Sequence, residues 1–320
     1  MIELGPGRGT LMDDILRTFE SIAQTRGRIQ AVRLVETSAR LQEEQKSRLS
    51  ARVSAELLHW YDRIEDIPKN EDAFTLLVAH ELFDAIPIHI IERTARGFQE
   101  VLVDIDRTAQ TLSTSSLLIN NSSPIIDSSP PNPQFSGFRY VLSGPLSPLA
   151  NTLGNSSPRF SQLEKGIRIE VSPSSWSIAR NIGELIGRGG GGAGLVIDYG
   201  DDRAFGSSFR GFHKHKLVDV FHQPGLCDLT ANVDFAYLKE AFNSTPTNTH
   251  GPIKQHEFLT NMGAPIRLHR LLQGAKDDET RERLRKGATR LMDLTGMGVQ
   301  YKVMGVTSGG KKGQVYPFEM

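Results

Sequence analysis

The sequence of 320 residues holds one cysteine, Cys227. A single thiol excludes an internal disulfide framework, and no Cys/His spacing resembles a zinc site, so no metal centre is expected and a reducing compartment suits the chain. No run of about 18 apolar residues is present, so nothing in the sequence reads as a bilayer-spanning helix. Neither sign of charge is in excess: Lys plus Arg and Asp plus Glu number 37 each. No global field therefore draws the chain to nucleic acid or to an anionic membrane. The opening MIELGPGRG carries neither the apolar core of a signal peptide nor an Arg-rich amphipathic leader. What remains is a chain long enough to bury a sizeable core, as one large domain or two modest ones.

Apolar runs bounded by turn residues alternate with helical patterns: strand 1–4, helix 10–22, strand 31–35, helix 38–50, strand 74–79. This is the βαβ rhythm of a mostly parallel, doubly wound α/β sheet. Residues 88–106 read as a hairpin about Arg96-Gly97, inserted after that strand and expected to extend or flank the main sheet. Segment 108–137 holds eight serines and four prolines, a composition that cannot bury enough apolar surface to offset its ordering entropy, and it reads as a disordered insertion. A strand at 167–171, a helix near 174–187 behind Pro173 and Ser174, a glycine run and the strand GLVIDY at 194–199 follow. Helices are expected at 233–242, capped by Asn232 or Thr230, at 254–261 and over 268–292, with a late strand at 301–307 on an edge. The expected division is a first part of the core at 1–107, the insertion at 108–137, the remainder of the core at 138–308 and a tail at 309–320.

The opening segment Ile2-Glu3-Leu4-Gly5-Pro6-Gly7-Arg8-Gly9-Thr10 is a strand running into a glycine-rich turn and a helix. Glycines let the backbone approach a bulky ligand with positive φ angles, and the helix start offers free N–H groups. NAD, FAD and S-adenosylmethionine proteins all use such a turn. The nicotinamide pattern is G-x-G-x-x-G, whereas here Gly5, Gly7 and Gly9 follow G-x-G-x-G and the acid Glu3 precedes them, which suits a cationic ligand better than a pyrophosphate. Glu36 ends the second strand, where an acid can accept hydrogen bonds from both ribose hydroxyls of an adenosine. Trp60, in HWYD at 59–62, can lie against an adenine face or pack in the core.

The strand at 74–79 runs into Ala79-His80-Glu81-Leu82-Phe83-Asp84-Ala85-Ile86-Pro87. That places His80, Glu81 and Asp84 at the carboxyl edge, where ligands of open α/β sheets sit. Methyl transfer from a sulfonium needs a nucleophile held in line. Carboxylates suit a guanidinium nucleophile, whose planar fork they grip bidentately, and His80 can accept a proton or a hydrogen bond beside them. A second acidic strand end, Asp198-Tyr199-Gly200, points to the same edge.

The chain resembles the MidA family of mitochondrial protein-arginine methyltransferases that act as complex I assembly factors. The motifs that carry the resemblance are ELGPGRGTLMDDILR at 3–17, LVETSARLQ at 34–42, AHELFDAIPIH at 79–89, DYGDD at 198–202, FRGFHKHKLVDVFHQPGLCDLTANVDFAYL at 209–238 and GPIKQHEFLTNMG at 251–263. It implies a class I S-adenosylmethionine-dependent methyltransferase core with an inserted hairpin and helical elements, and symmetric dimethylation of an arginine on a complex I subunit in the mitochondrial matrix. It further implies that Gly5, Gly7 and Gly9 surround the methionyl moiety, that Glu36 holds the ribose, that the 79–87 loop faces the protein substrate, and that FRGF and KQHEFL add a wall to its pocket. Family members carry a helical segment before the glycine turn, expected to cover the cofactor, and relative to them this chain reads as truncated. The alternative class is a non-catalytic assembly factor that keeps the fold as a protein-binding module; a nicotinamide dehydrogenase is a third reading.

Overall fold

A computed structural model of the protein describes residues 1–68, 72–106, 137–144, 146–310 and 313–318. The Ser/Pro-rich segment expected to be disordered lies outside the described residues but for Gly137. In chain order the elements begin with β1 (Ile2–Leu4), α1 (Thr10–Ser21), β2 (Val32–Val35), α2 (Ala39–Leu49), β3 (Leu58–Tyr61), β4 (Thr75–His80), β5 (His89–Thr94), β6 (Gly97–Ile105) and β7 (Phe138–Leu142). Next come α3 (Pro148–Gly154), α4 (Pro158–Ser161), β8 (Arg168–Val171), α5 (Pro173–Ile186), β9 (Gly192–Asp201), β10 (Arg210–His213), β11 (Lys216–Val218), β12 (Asp228–Thr230) and β13 (Val233–Asp234). The chain closes with α6 (Phe235–Phe242), β14 (Thr247–Lys254), α7 (Gln255–Asn261), α8 (Ala264–Gln273), α9 (Asp278–Met292), α10 (Met297–Gln300) and β15 (Tyr301–Ser308). Two compact units result, one from Met1–Ile86, Pro173–Ala204 and Asn232–Met320, the other from Pro87–Ser172 and Phe205–Ala231.

The first unit is built on a sheet of order β14-β15-β9-β4-β1-β2-β3, with β13 beside β9. Strands β9, β4, β1, β2 and β3 run parallel, and β15 lies antiparallel to both of its neighbours, β9 and β14. Because side chains alternate along a strand, each strand feeds both faces. Ile2, Leu4, Leu77, Ala79 and Val196 enter one core with Ala179 and Ile182 of α5 and Phe235 and Phe242 of α6. On the opposite face Met12 and Leu16 of α1 and Leu49 of α2 cover Val32, Leu34 and Leu58. Each such fully buried Leu or Phe contributes roughly 1.5–3 kcal/mol. That second face continues over the central strands as Leu76, Val78, Leu195 and Ile197, all half-buried. They floor an open groove of about 520 Å³ walled by Ile15, Phe19 and Phe258. Helix α6 is capped not by Asn232 or Thr230 but by Asp234, whose carboxylate accepts the Tyr237 N–H at 3.0 Å.

The late strand β15 is interior, not an edge: it pairs β9 on one side and β14 on the other. The true edge, β14, has the sequence TNTHGPIK and shifts register between His250 and Ile253, so it lacks the alternation that marks a strand. In the second unit the hairpin about Arg96-Gly97 forms as β5 and β6, but it does not extend the main sheet. It joins β7 and β8 in an antiparallel sheet of order β7-β6-β5-β8, beside a small sheet of order β11-β10-β12. The 167–171 strand, read as part of the core, is thus β8 of this separate sheet. Among the described residues no helix is long and apolar enough to cross a membrane.

Candidate active site at the carboxyl edge of the parallel sheet

Strand β1 stops at Leu4 because the chain must turn through Gly5, Gly7 and Gly9, whose φ angles are 64°, 52° and 72°. L-residues rarely adopt that region. A Cβ on Gly5 would lie 3.1 Å from Leu82 Cδ1 and one on Gly9 3.3 Å from Gln45 Cγ, whereas a Cβ on Gly7 would meet nothing within 4 Å. The turn is therefore packed at both ends and open in the middle. Gly9 offers helix α1 no side-chain cap, so first-turn N–H groups other than that of Met12 are open to a ligand.

Glu3 does not line the cleft in front of this turn. The strand alternation that sends Ile2 and Leu4 into one core sends Glu3 to the α1 side, in a cross-strand row between Leu34 and Val78. There it is 3% exposed. The Met12 N–H bonds to its carboxylate, and Oε2 has no hydrogen-bond partner. Burial raises its pKa from the ordinary 4.5 to about 7. Glu3 braces the start of α1 from behind; a direct contact with a cationic ligand is not what its geometry offers.

The cleft itself, of about 500 Å³, is lined by Leu4, Gly5, Glu36, Asp62, Leu82 and Ile178 among others. Glu36 follows β2, and its Oε1 accepts the Ser38 N–H at 2.9 Å. Its Oε2 accepts from Gln45 Nε2 at 3.4 Å. Gln45, 0% exposed, also donates to the Gly7 carbonyl at 2.6 Å and accepts from Trp60 Nε1 at 2.8 Å. One buried amide thus joins Gly7, Glu36 and Trp60. The adenine role expected of Trp60 is corrected accordingly: β3 turns Leu58 and Trp60 toward the α1/α2 core, where Trp60 packs, and it does not line the cleft. Asp62, just past the end of β3, does line it, as do Ser174 and Ser177 of α5. Sequence reading passed over Asp62, although its place one residue beyond a parallel strand is a signal for a ligand-edge acid.

On the loop after β4, Glu81 has φ 51°, a left-handed conformation for a residue with a side chain. Its N–H donates to the Ile197 carbonyl at 2.9 Å, and its Oε1 accepts from the Tyr301 hydroxyl at 2.9 Å. Asp84 accepts from the Tyr199 hydroxyl. Behind both, Asp198 Oδ2 accepts the Phe83 N–H at 2.9 Å and the Asp84 N–H at 3.3 Å, while Oδ1 accepts the Tyr199 N–H at 2.9 Å. Asp198 is 0% exposed; burial, with the Asp84 charge next, pushes its carboxyl well above the usual range. It shapes the loop from inside and does not face the cleft. His80, the last residue of β4, is half-buried. Among the described residues no hydrogen bond joins it to Glu81 or Asp84, and none of the three lines the cleft; what the loop presents is two carboxylates, each held by its own tyrosine hydroxyl. Of the two motifs expected to add a wall to the substrate pocket, FRGF at 209–212 lies in the second unit and KQHEFL at 254–259 in the first.

These residues fit an adenosyl ligand. Leu4, Leu82 and Ile178 offer apolar walls for a purine, Glu36 and Asp62 stand at strand ends where hydroxyls can be bound, and the open centre of the glycine turn admits a chain bearing the reactive group. Residues 1–253 match the model of the family described as "Putative S-adenosyl-L-methionine-dependent methyltransferase". The mitochondrial protein arginine methyltransferase NDUFAF7 of Xenopus tropicalis is 35% identical over 96% of this chain and 67% of its own length. Its namesake from Homo sapiens is 34% identical over 94% of this chain and 64% of its own length. The chain thus spans about two thirds of the length of the curated relatives it matches. A Burkholderia thailandensis protein solved with S-adenosyl-homocysteine bound shares the fold, with TM-score 0.72 and 22% identity over 98% of this chain and 72% of that one. The chain belongs to this family of S-adenosyl-L-methionine-dependent methyltransferases.

Proposed function

We propose that this chain methylates arginine in a protein substrate, to the symmetric dimethyl product, using S-adenosyl-L-methionine held at the glycine turn. We take the substrate to be a subunit of complex I in the mitochondrial matrix, and support of complex I assembly to be the outcome. The observation that carries the reading is the pair of tyrosine-held carboxylates, Glu81 and Asp84, on the same loop that walls the cleft through Leu82 and Ile86. The relatives named as mitochondrial protein arginine methyltransferases support the choice of acceptor and compartment.

In this reading Gly5, Gly7 and Gly9 let the backbone approach the ligand, Glu36 accepts from ribose hydroxyls, and Glu3 and Gln45 keep the turn in shape. Bound S-adenosyl-L-methionine supplies an electrophilic methyl group on a sulfonium. The task left to the protein is positioning. Glu81 and Asp84 accept the N–H groups of the guanidinium fork, fix its plane and draw its positive charge away from the attacking nitrogen. One of the two carboxylates receives the proton that this nitrogen sheds on methylation.

The test is calorimetric titration of the chain with S-adenosylhomocysteine, wild type against Gly7→Val. A β-branched residue at φ 52° is strained, and its side chain enters the space that the turn leaves open. Micromolar binding by wild type and none by a folded Gly7→Val is expected. A folded wild type that binds no S-adenosylhomocysteine would make the chain a non-catalytic, protein-binding member of its family.

A further inference from the structure

We propose that Tyr199 and Tyr301 are positioning residues that set the substrate class of the site, by locking the Glu81 and Asp84 carboxylates into a fork that fits a planar guanidinium and not an alkyl ammonium. The inference rests on the role given above to those two carboxylates.

Strands β9 and β15 are antiparallel neighbours, and Tyr199 and Tyr301 are direct register partners. Their rings meet edge to face, with centroids 5.5 Å apart and planes at 74°. Each hydroxyl holds a different carboxylate, Tyr301 that of Glu81 and Tyr199 that of Asp84. The backbones of the same two residues are pinned by β9, through the Ile197 carbonyl for Glu81 and the Asp198 carboxylate for Asp84. Main chain and side chain are thus fixed independently at both positions, and the two carboxylates hang from one rigid aromatic pair. Burial and the neighbouring Glu81 charge hold the Tyr301 phenol far above its ordinary pKa, which keeps it protonated and donating.

Fixed orientation has value for one kind of cation. A guanidinium presents parallel N–H bonds in a plane, and two carboxylates of set direction can engage it bidentately. An ammonium is a compact point charge with rotatable donors and gains little from the direction of the carboxylates around it. Removing a phenol hydroxyl keeps the negative charge and releases the orientation. Arginine turnover then suffers and cofactor binding does not, because neither tyrosine lines the cofactor cleft.

The experiment measures methyl transfer from tritiated S-adenosyl-L-methionine to two peptides that differ only in a central arginine or lysine. Wild type, Tyr199→Phe, Tyr301→Phe and Glu81→Gln are compared, with the S-adenosylhomocysteine Kd and thermal melting of each. Each tyrosine variant is expected to lower kcat on the arginine peptide about 10- to 100-fold, at wild-type Kd, and to lower the arginine-to-lysine rate ratio. Tyrosine variants with wild-type kcat and ratio, beside an inactive Glu81→Gln, overturn the proposal and leave the carboxylate reading standing. A fully active Glu81→Gln, or a wild type that binds S-adenosylhomocysteine and methylates neither peptide, overturns both. Loss of S-adenosylhomocysteine binding by folded tyrosine variants gives the pair a general structural role and also overturns the proposal. Should one variant fail to fold, the other decides, since each hydroxyl serves a different carboxylate.

Discussion

Glu3 and Gln45 show how polar side chains inside a core serve a cleft they do not line. Glu3 is an acid whose folded pKa is raised, to about 7 from 4.5, so the sign of its effect on stability follows directly. Its favourable contribution is complete below the unfolded value and is lost as pH rises through the window between the two, because the folded state must then ionise a carboxyl that water does not reach. The loss amounts to roughly 3 kcal/mol. Urea unfolding of wild type and Glu3→Gln at pH 5 and pH 8 should show wild type losing that stability across the interval while the neutral variant does not. Parallel pH dependence in the two proteins would remove Glu3 from this role. Neither role was legible in the residue types alone: an acid before a glycine turn reads as a ligand contact until the register puts it beside Leu34 and Val78. A glutamine in the middle of a polar helical stretch, ARLQEEQKSRL, gives no sign that it is fully buried.

The strand–turn junction after β4 is the element on which the chemistry depends, and its backbone records a compromise. A non-glycine residue in the left-handed region costs about 1–2 kcal/mol, and at Glu81 the hydrogen bonds to Ile197 and Tyr301 hold it there. Glycine would adopt the same φ without strain. Glu81→Gly is therefore expected to be more stable than Glu81→Ala by about 1 kcal/mol, reversing the usual order of these residues, while both lose methyl transfer. Thermal melting with an activity assay checks this, and an alanine variant as stable as the glycine one would mean that the loop is not strained. At this scale the sequence was informative where periodicity is strong. The β1, α1, β2, α2 and β4 pattern announced a parallel sheet with its ligand edge, and so located the glycine turn, Glu36 and the 79–87 loop. It was silent where tertiary pairing overrides local preference: β14 has no alternation, β15 lies inside the sheet and not on its edge, and Tyr301 reaches Glu81 across 220 positions of sequence.

For the molecule as a whole, the division into two compact units gives ligand stabilisation a definite address. Every residue lining the cleft belongs to the first unit. A ligand at 100 times its Kd adds about 2.7 kcal/mol to whatever must be folded to bind it. Hydrogen exchange with S-adenosylhomocysteine should therefore slow around Gly5, Glu36 and Asp62, and leave amides of Pro87–Ser172 unchanged. Equal slowing in both would mean that the units open as one. Length and periodicity together bounded the molecule as a large α/β chain, but the segments of the second unit were read as an inserted hairpin and as part of the core. Its hairpin was legible, whereas the partners of that hairpin, β7 and β8, lie up to dozens of residues further along and come from segments whose pairing no local pattern reveals.

The hydrogen bond from Trp60 to Gln45 gives this protein a built-in optical gauge. The chain has two tryptophans, and the emission of an indole responds to whether its N–H is bonded and how wet its surroundings are. Gln45 grips the Gly7 carbonyl with one end of its amide and the Trp60 indole with the other, so a ligand that shifts the glycine turn tugs on the fluorophore. The side chain weighed as an adenine platform is linked instead to the glycine turn from behind, so its emission is expected to change when S-adenosylhomocysteine fills a cleft that it does not line.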